Sequence, residues 1–95
     1  MQQVDMISAI YKASKSDARL AKLLENVQEY AHLYLIAKQR QKGCDGMGEM
    51  STLKEEFVYN LEGMILYCKE KGYLSGDITY EIDSVALEMT KIKSG

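Results

Sequence analysis

Apolar side chains returning every three or four residues limit this chain more than any other feature. Leu20, Leu23, Leu24, Val27, Ala31, Tyr34 and Leu35 all fall on one side of a 3.6-residue period. Met6, Ile7, Ile10 and Tyr11 mark a shorter stripe before them. Leu53, Phe57, Leu61, Met64 and Cys68 form a third, widened by Val58 and Ile65. Ile78, Ile82, Val85, Met89 and Ile92 form a fourth. No segment alternates with period two over more than a few residues, so strands are not expected.

Boundary chemistry refines the four segments. Ser16 or Asp17, in "SKSD", can accept the free N–H groups that open a second helix. Lys38, Arg40 and Lys42 suit its negative end, and Gly43 suits its stop. Thr52 followed by Glu55 reads as a capping box for the third helix, which Lys69, Lys71 and Gly72 bring to a close. Ser75 or Asp77 can cap the fourth. The expected helices span roughly residues 3–13, 17–42, 52–71 and 77–92.

Ninety-five residues make a single domain. Four one-sided helices cannot bury their stripes alone, and short connections favour antiparallel neighbours. The expected fold is therefore all-α, an antiparallel up-down-up-down four-helix bundle. The lengths are unequal: about 38 Å for the second helix and about 17 Å for the first at about 1.5 Å per residue. The far end of the second helix must overhang or pack on something other than the first.

Twelve basic residues against fourteen acidic give a net charge of −2, which argues against a dedicated nucleic-acid binder. No apolar run approaches the roughly 20 residues that span a bilayer. The start "MQQVDMISAIYK" has no basic n-region, so the chain reads as cytoplasmic. Cys44 and Cys68 are then expected as reduced thiols, Cys68 on a buried stripe.

Catalytic chemistry finds little support. "KGCDGMG", residues 42–48, follows a helix rather than a strand and lacks Gly-Lys-Ser/Thr, so it reads as a connector and not a phosphate cradle. Glu25 and Glu29, four apart, lie off the Leu20–Leu24–Val27–Ala31 stripe and belong to a solvated face. Glu81 and Asp83 flank Ile82 and point away from the fourth stripe. His32, the only histidine, has no nucleophile placed for it. Metal-ligand spacing is missing too. No enzyme, metal or cofactor is expected.

Seven tyrosines point instead to contact surfaces. Tyr11, Tyr34 and Tyr67 are expected at the edge of the core, and Tyr30, Tyr59, Tyr73 and Tyr80 outside it. In an up-down-up-down bundle, Lys38, Arg40, Lys42, Lys91 and Lys93 would gather at one end. There they would compensate helix dipoles or face anionic lipid or an acidic partner.

The short helix ending in "AIYKA", the capped "SDARLAKLLENVQEYAHLYL", an amphipathic third helix and a break before the last together resemble the enterocin A immunity family. The resemblance covers roughly residues 5–92. It implies an antiparallel four-helix bundle in the cytosol of a bacteriocin-producing cell. Such a protein protects against a pore-forming peptide by engaging a membrane receptor–bacteriocin complex at the inner face, without catalytic residues. Specificity in this family is associated with the C-terminal half. The residues this implies for partner contact are Lys69, Lys71, Tyr73, Tyr80, Lys91 and Lys93, with peripheral membrane contact and homo-oligomerisation as further expectations. The rival is a small helical inhibitor or adaptor, for example phage-encoded, acting by protein–protein contact or self-association.

Overall fold

The computed structural model describes the backbone of residues 1–40 and 47–94 and the side chains of 1–40 and 51–91. Lys42, Gly43, Cys44 and the expected connector up to residue 46 lie outside them. Among the described residues there are four helices: α1 Gln3–Ser14, α2 Ala18–Arg40, α3 Met47–Glu70 and α4 Ile82–Ser94. No strand occurs among the described residues. Most residues of the expected stripes form the core, while Tyr11 is exposed, Ile78 and Ile82 are half-buried and the Ile92 side chain lies outside the described residues. Met6 and Ile10 of α1, Leu20 and Val27 of α2, Phe57, Leu61 and Met64 of α3, and Val85 and Met89 of α4 are fully buried. The buried Cys68 is a free thiol.

α2 is the central element and packs against all three others, most extensively against α3. Directions follow from the contacts along its length. Asp17, just before its start, accepts hydroxyls from Tyr67 in the last turn of α3 and Tyr73 in the turn that follows. Tyr34, in its second half, stacks on Phe57 in the first half of α3, with ring centroids 6.2 Å apart and planes inclined by 10°. α3 is therefore antiparallel to α2. The start of α4 meets the same second half of α2: Tyr34 donates to Asp83 Oδ1 at 2.6 Å, and Lys38 pairs with Asp83. Further back, Gln28 Nε2 donates to the Met89 carbonyl at 3.4 Å. α4 is antiparallel to α2 as well.

Two helices antiparallel to the same third helix run parallel to each other. The path is thus up, down, up, up, and the expected up-down-up-down alternation is corrected at the last helix. The same finding corrects the fold implied by the resemblance. It also removes the expected basic end: the C-terminal part of α2 lies beside the N-terminal end of α4, so Lys38 finds Asp83 there and not Lys91 or Lys93. The overhang of α2 beyond α1 is filled by α4.

Parallel neighbours need a crossover, and residues 71–81 supply it. α3 stops where Gly72 turns left-handed, at φ 82°. The Tyr73 N–H bonds the Cys68 carbonyl at 2.8 Å and the Gly72 N–H bonds that of Lys69 at 3.2 Å, the paired bonds of a Schellman stop. Leu74 is buried, and Gly76, at φ 75°, makes the second turn. The chain then returns extended along α3. Ile78, Tyr80 and Ile82 are half-buried while Thr79 and Glu81 are exposed, the alternation of an extended segment lying on a core.

This return corrects the expected start of α4 at residue 77. Neither Ser75 nor Asp77 caps a helix. α4 begins at Ile82, with the Val85 N–H bonded to the Glu81 carbonyl at 2.9 Å. Residues at the head of α1 hold the crossover in place. Gln3 accepts from the Glu81 N–H at 3.0 Å and donates to Ser84 Oγ at 2.8 Å, and the Thr79 N–H reaches the Met1 carbonyl at 3.3 Å. α3 begins at Met47, so Thr52 and Glu55 sit inside it and not at its start.

Candidate functional site

α3 carries two stripes. Phe57, Leu61, Met64 and Cys68 face inward and are fully buried. A second set at the same helical spacing, Tyr59, Glu62, Gly63, Leu66 and Lys69, faces a groove between α3 and the returning crossover. The groove has a volume of about 880 Å³, with Asp77, Ile78 and Tyr80 as its far wall. Tyr59 is 79% exposed and Leu66 60% exposed. Nothing among the described residues covers them.

Gly63 lies in the middle of this surface. A Cβ built on it would meet no atom within 4 Å, and its φ is not positive. Neither packing nor backbone conformation requires glycine there, although glycine in a helix interior costs about 1 kcal/mol relative to alanine. What glycine provides is a bare stretch of backbone in the groove.

A second hollow of about 410 Å³ adjoins the first, between α2 and α3. Glu29, Tyr30 and Leu33 of α2 line it together with Glu56 and Tyr59 of α3. Tyr59 borders both hollows and stands as a ridge between them. Leu33 adds apolar surface, being 39% exposed. Around these apolar centres Glu29, Glu56, Glu62 and Asp77 face one ammonium, Lys69. Burial, followed by the charge of Glu62, pushes the Tyr80 hydroxyl above its ordinary titration range. It remains a neutral donor on the groove wall.

A second polar constellation anchors the mouth of the crossover. Asp17 Oδ1 accepts from the backbone N–H groups of Arg19 and Leu20, both at 3.1 Å, as the cap of α2. Its Oδ2 takes the Tyr67 hydroxyl at 2.9 Å and the Tyr73 hydroxyl at 2.8 Å. The Leu20 N–H, then the Tyr73 hydroxyl, hold the Asp17 carboxyl below its ordinary range. At the far end of α2, Lys38 and then Tyr34 do the same for Asp83.

Of the six residues expected at a partner surface, the structure brings Lys69 and Tyr80 into the groove. Tyr73 is committed to Asp17. The Lys71 ammonium lies 5.7 Å from the centre of the Tyr67 ring. Lys91 is on α4, 3.5 Å from Glu88, and the Lys93 side chain lies outside the described residues. Tyr30 and Tyr59 reach the contact surface through the second hollow, whereas Tyr11 is exposed and Tyr34 buried. Sequence reasoning missed Gly63 and Leu66, though the spacing Tyr59–Gly63–Leu66 carried the signal of a second face. His32, Glu25 and Glu29 are exposed. Among the described residues no group of three or more His, Cys, Asp or Glu side chains is placed to hold a metal, and no helix is long and apolar enough to cross a membrane.

No family model, curated protein or solved structure matches this chain.

Proposed function

We propose that this protein acts by contact and not by catalysis, binding a polypeptide partner in the groove along α3. We further propose that it serves as a bacteriocin immunity protein in the cytosol of a producing cell. The groove carries the first part: a large, partly apolar concavity with exposed Tyr59 and Leu66 beside it is the arrangement that protein partners use. The second part rests on the sequence resemblance. Its support is positional, because α3 and the crossover lie in the half of the chain where that family's specificity is expected, and Lys69 and Tyr80 line the groove. The crossover departs from the antiparallel bundle the resemblance implies, so the immunity role draws on the sequence pattern and not on topology.

Expression in strains sensitive to class IIa bacteriocins tests the role, with Gly63→Trp as the groove-filling variant. Survival conferred by the natural sequence and lost with Gly63→Trp is the expected result. Absence of protection against a panel of such peptides would remove the immunity reading and leave the inhibitor or adaptor role for the same groove.

A further inference from the structure

We infer that the occupant of the groove is a cationic amphipathic helix of the partner, a reading that rests on the groove being the binding site. Three observations on the two hollows converge. The first is charge. Glu29, Glu56, Glu62 and Asp77 stand against Lys69 alone, a local excess greater than the net charge of −2 carried by the whole chain. All four carboxylates belong to exposed residues, and none of them is in an ion pair among the described residues. Desolvating them against a neutral or acidic partner would be unfavourable, while lysine or arginine side chains would complement them.

The second is shape. Between Glu56 and Lys69 the groove face of α3 extends about 20 Å at about 1.5 Å per residue, which matches a partner helix of about 14 residues. Tyr59 and Leu66 lie seven residues apart, two turns of α3. They present apolar surface at the interval at which an amphipathic helix repeats its own.

The third is Gly63, between those two side chains. Its backbone is open to approach, with no atom within 4 Å of a Cβ position, so a helix crossing there can come closer than any side chain would permit. The partner helix lays its apolar stripe over Gly63 between Tyr59 and Leu66. Its flanking ammonium or guanidinium groups reach Glu62 and Asp77 on one side and Glu29 and Glu56 on the other. The sign of this surface is opposite to the lysine-based contact expected from the sequence, and it disfavours an anionic bilayer.

A fluorescently labelled synthetic peptide, two repeats of Leu-Lys-Lys-Leu-Leu-Lys-Leu, serves as the probe, with fluorescence anisotropy as the readout. Circular dichroism checks the fold of every variant. The natural protein should bind the peptide, and the charge-reversed peptide with glutamate for lysine should not bind. Glu56→Lys combined with Glu62→Lys should weaken binding about tenfold or more, as should Gly63→Trp. Asp5→Lys combined with Glu88→Lys, of equal charge change but off the groove, should alter binding less than about twofold.

Equal loss from both charge-reversed pairs would reduce the effect to net charge and overturn the inference. So would an unchanged affinity for Gly63→Trp, no binding at all, or binding to phosphatidylglycerol vesicles that the groove variants abolish. If Gly63→Trp abolishes protection in cells while the cationic peptide fails to bind, the groove reading stands and the charge of the occupant is wrong. If the peptide binds in the groove and no protection is seen, the immunity role fails alone.

Discussion

Tyr73 donates its hydroxyl to Asp17 Oδ2 at 2.8 Å, joining the turn after α3 to the carboxylate that caps α2. Tyr67 reaches the same oxygen from the last turns of α3. One side chain thus closes a helix start and fixes where the crossover leaves its helix. Asp17→Ala should lower the urea midpoint more than either Tyr67→Phe or Tyr73→Phe. In a double-mutant cycle, Tyr73→Phe should cost less when Asp17 is already alanine. Additive losses would show that the hydroxyls and the cap act independently.

The acid and alkaline limits of stability have opposite origins. Asp17 and Asp83 titrate below their ordinary 3.8 in the folded state, so their contribution is complete above that value and declines as pH falls through it. Burial pushes Tyr34 from 10.0 up to about 12 and Cys68 from 9.0 up to about 11. Their contribution is complete below the ordinary values and declines as pH rises through the folded ones. Urea denaturation across pH should give a plateau between about 4 and 9, with Asp83→Asn flattening the acid limb and Tyr34→Phe the alkaline one.

Phe57 is fully buried and stacked on Tyr34. Phe57→Ala should destabilise by about 3–5 kcal/mol, read from chemical denaturation. A much smaller loss would mean that α2 and α3 close over the vacated space.

Gly63→Ala should raise stability by about 0.8–1.0 kcal/mol, since the added methyl group meets no neighbour and helix propensity improves. The same change should weaken partner binding. Gain and loss from one substitution would mark glycine as retained for contact.

The Cys68 thiol should resist alkylation in the native state, being fully buried with its ionisation suppressed. In a Cys44→Ser background, iodoacetamide should modify the protein only after denaturant is added. Rapid native-state labelling would reveal local opening of the end of α3.

Most of the fold was legible in periodicity, because α1, α2 and α3 bury stripes whose spacing cannot be confused with a strand. A cap at Ser16 or Asp17 and the stop at Gly72 were legible for similar reasons, each being a local bond, and the structure selects Asp17. The start of α4 was not. Ile78 and Ile82 are four apart and fit a helix, yet Ile78, Tyr80 and Ile82 also fit an extended segment. The β-branched Ile78 and Thr79 favour the latter. What decides is remote: the side chain of Gln3 satisfies the Glu81 N–H and holds Ser84. Once that start moved, the chain direction of α4 and the position of its lysines moved with it. The groove was obscured because a second face on α3 dilutes its amphipathicity, and because its other wall is the crossover.

Joining the head of α1 to the segment before α4 also sets an order of events during synthesis. Gln3 leaves the ribosome about eighty residues ahead of Glu81 and Ser84. A nascent chain can pair α1 with α2, and α2 with α3, before those partners exist. The clasp between the head of α1 and the segment before α4 is consequently a non-local closure that follows those pairings. It is also the step at which newly made molecules have the longest opportunity to exchange α4 with one another.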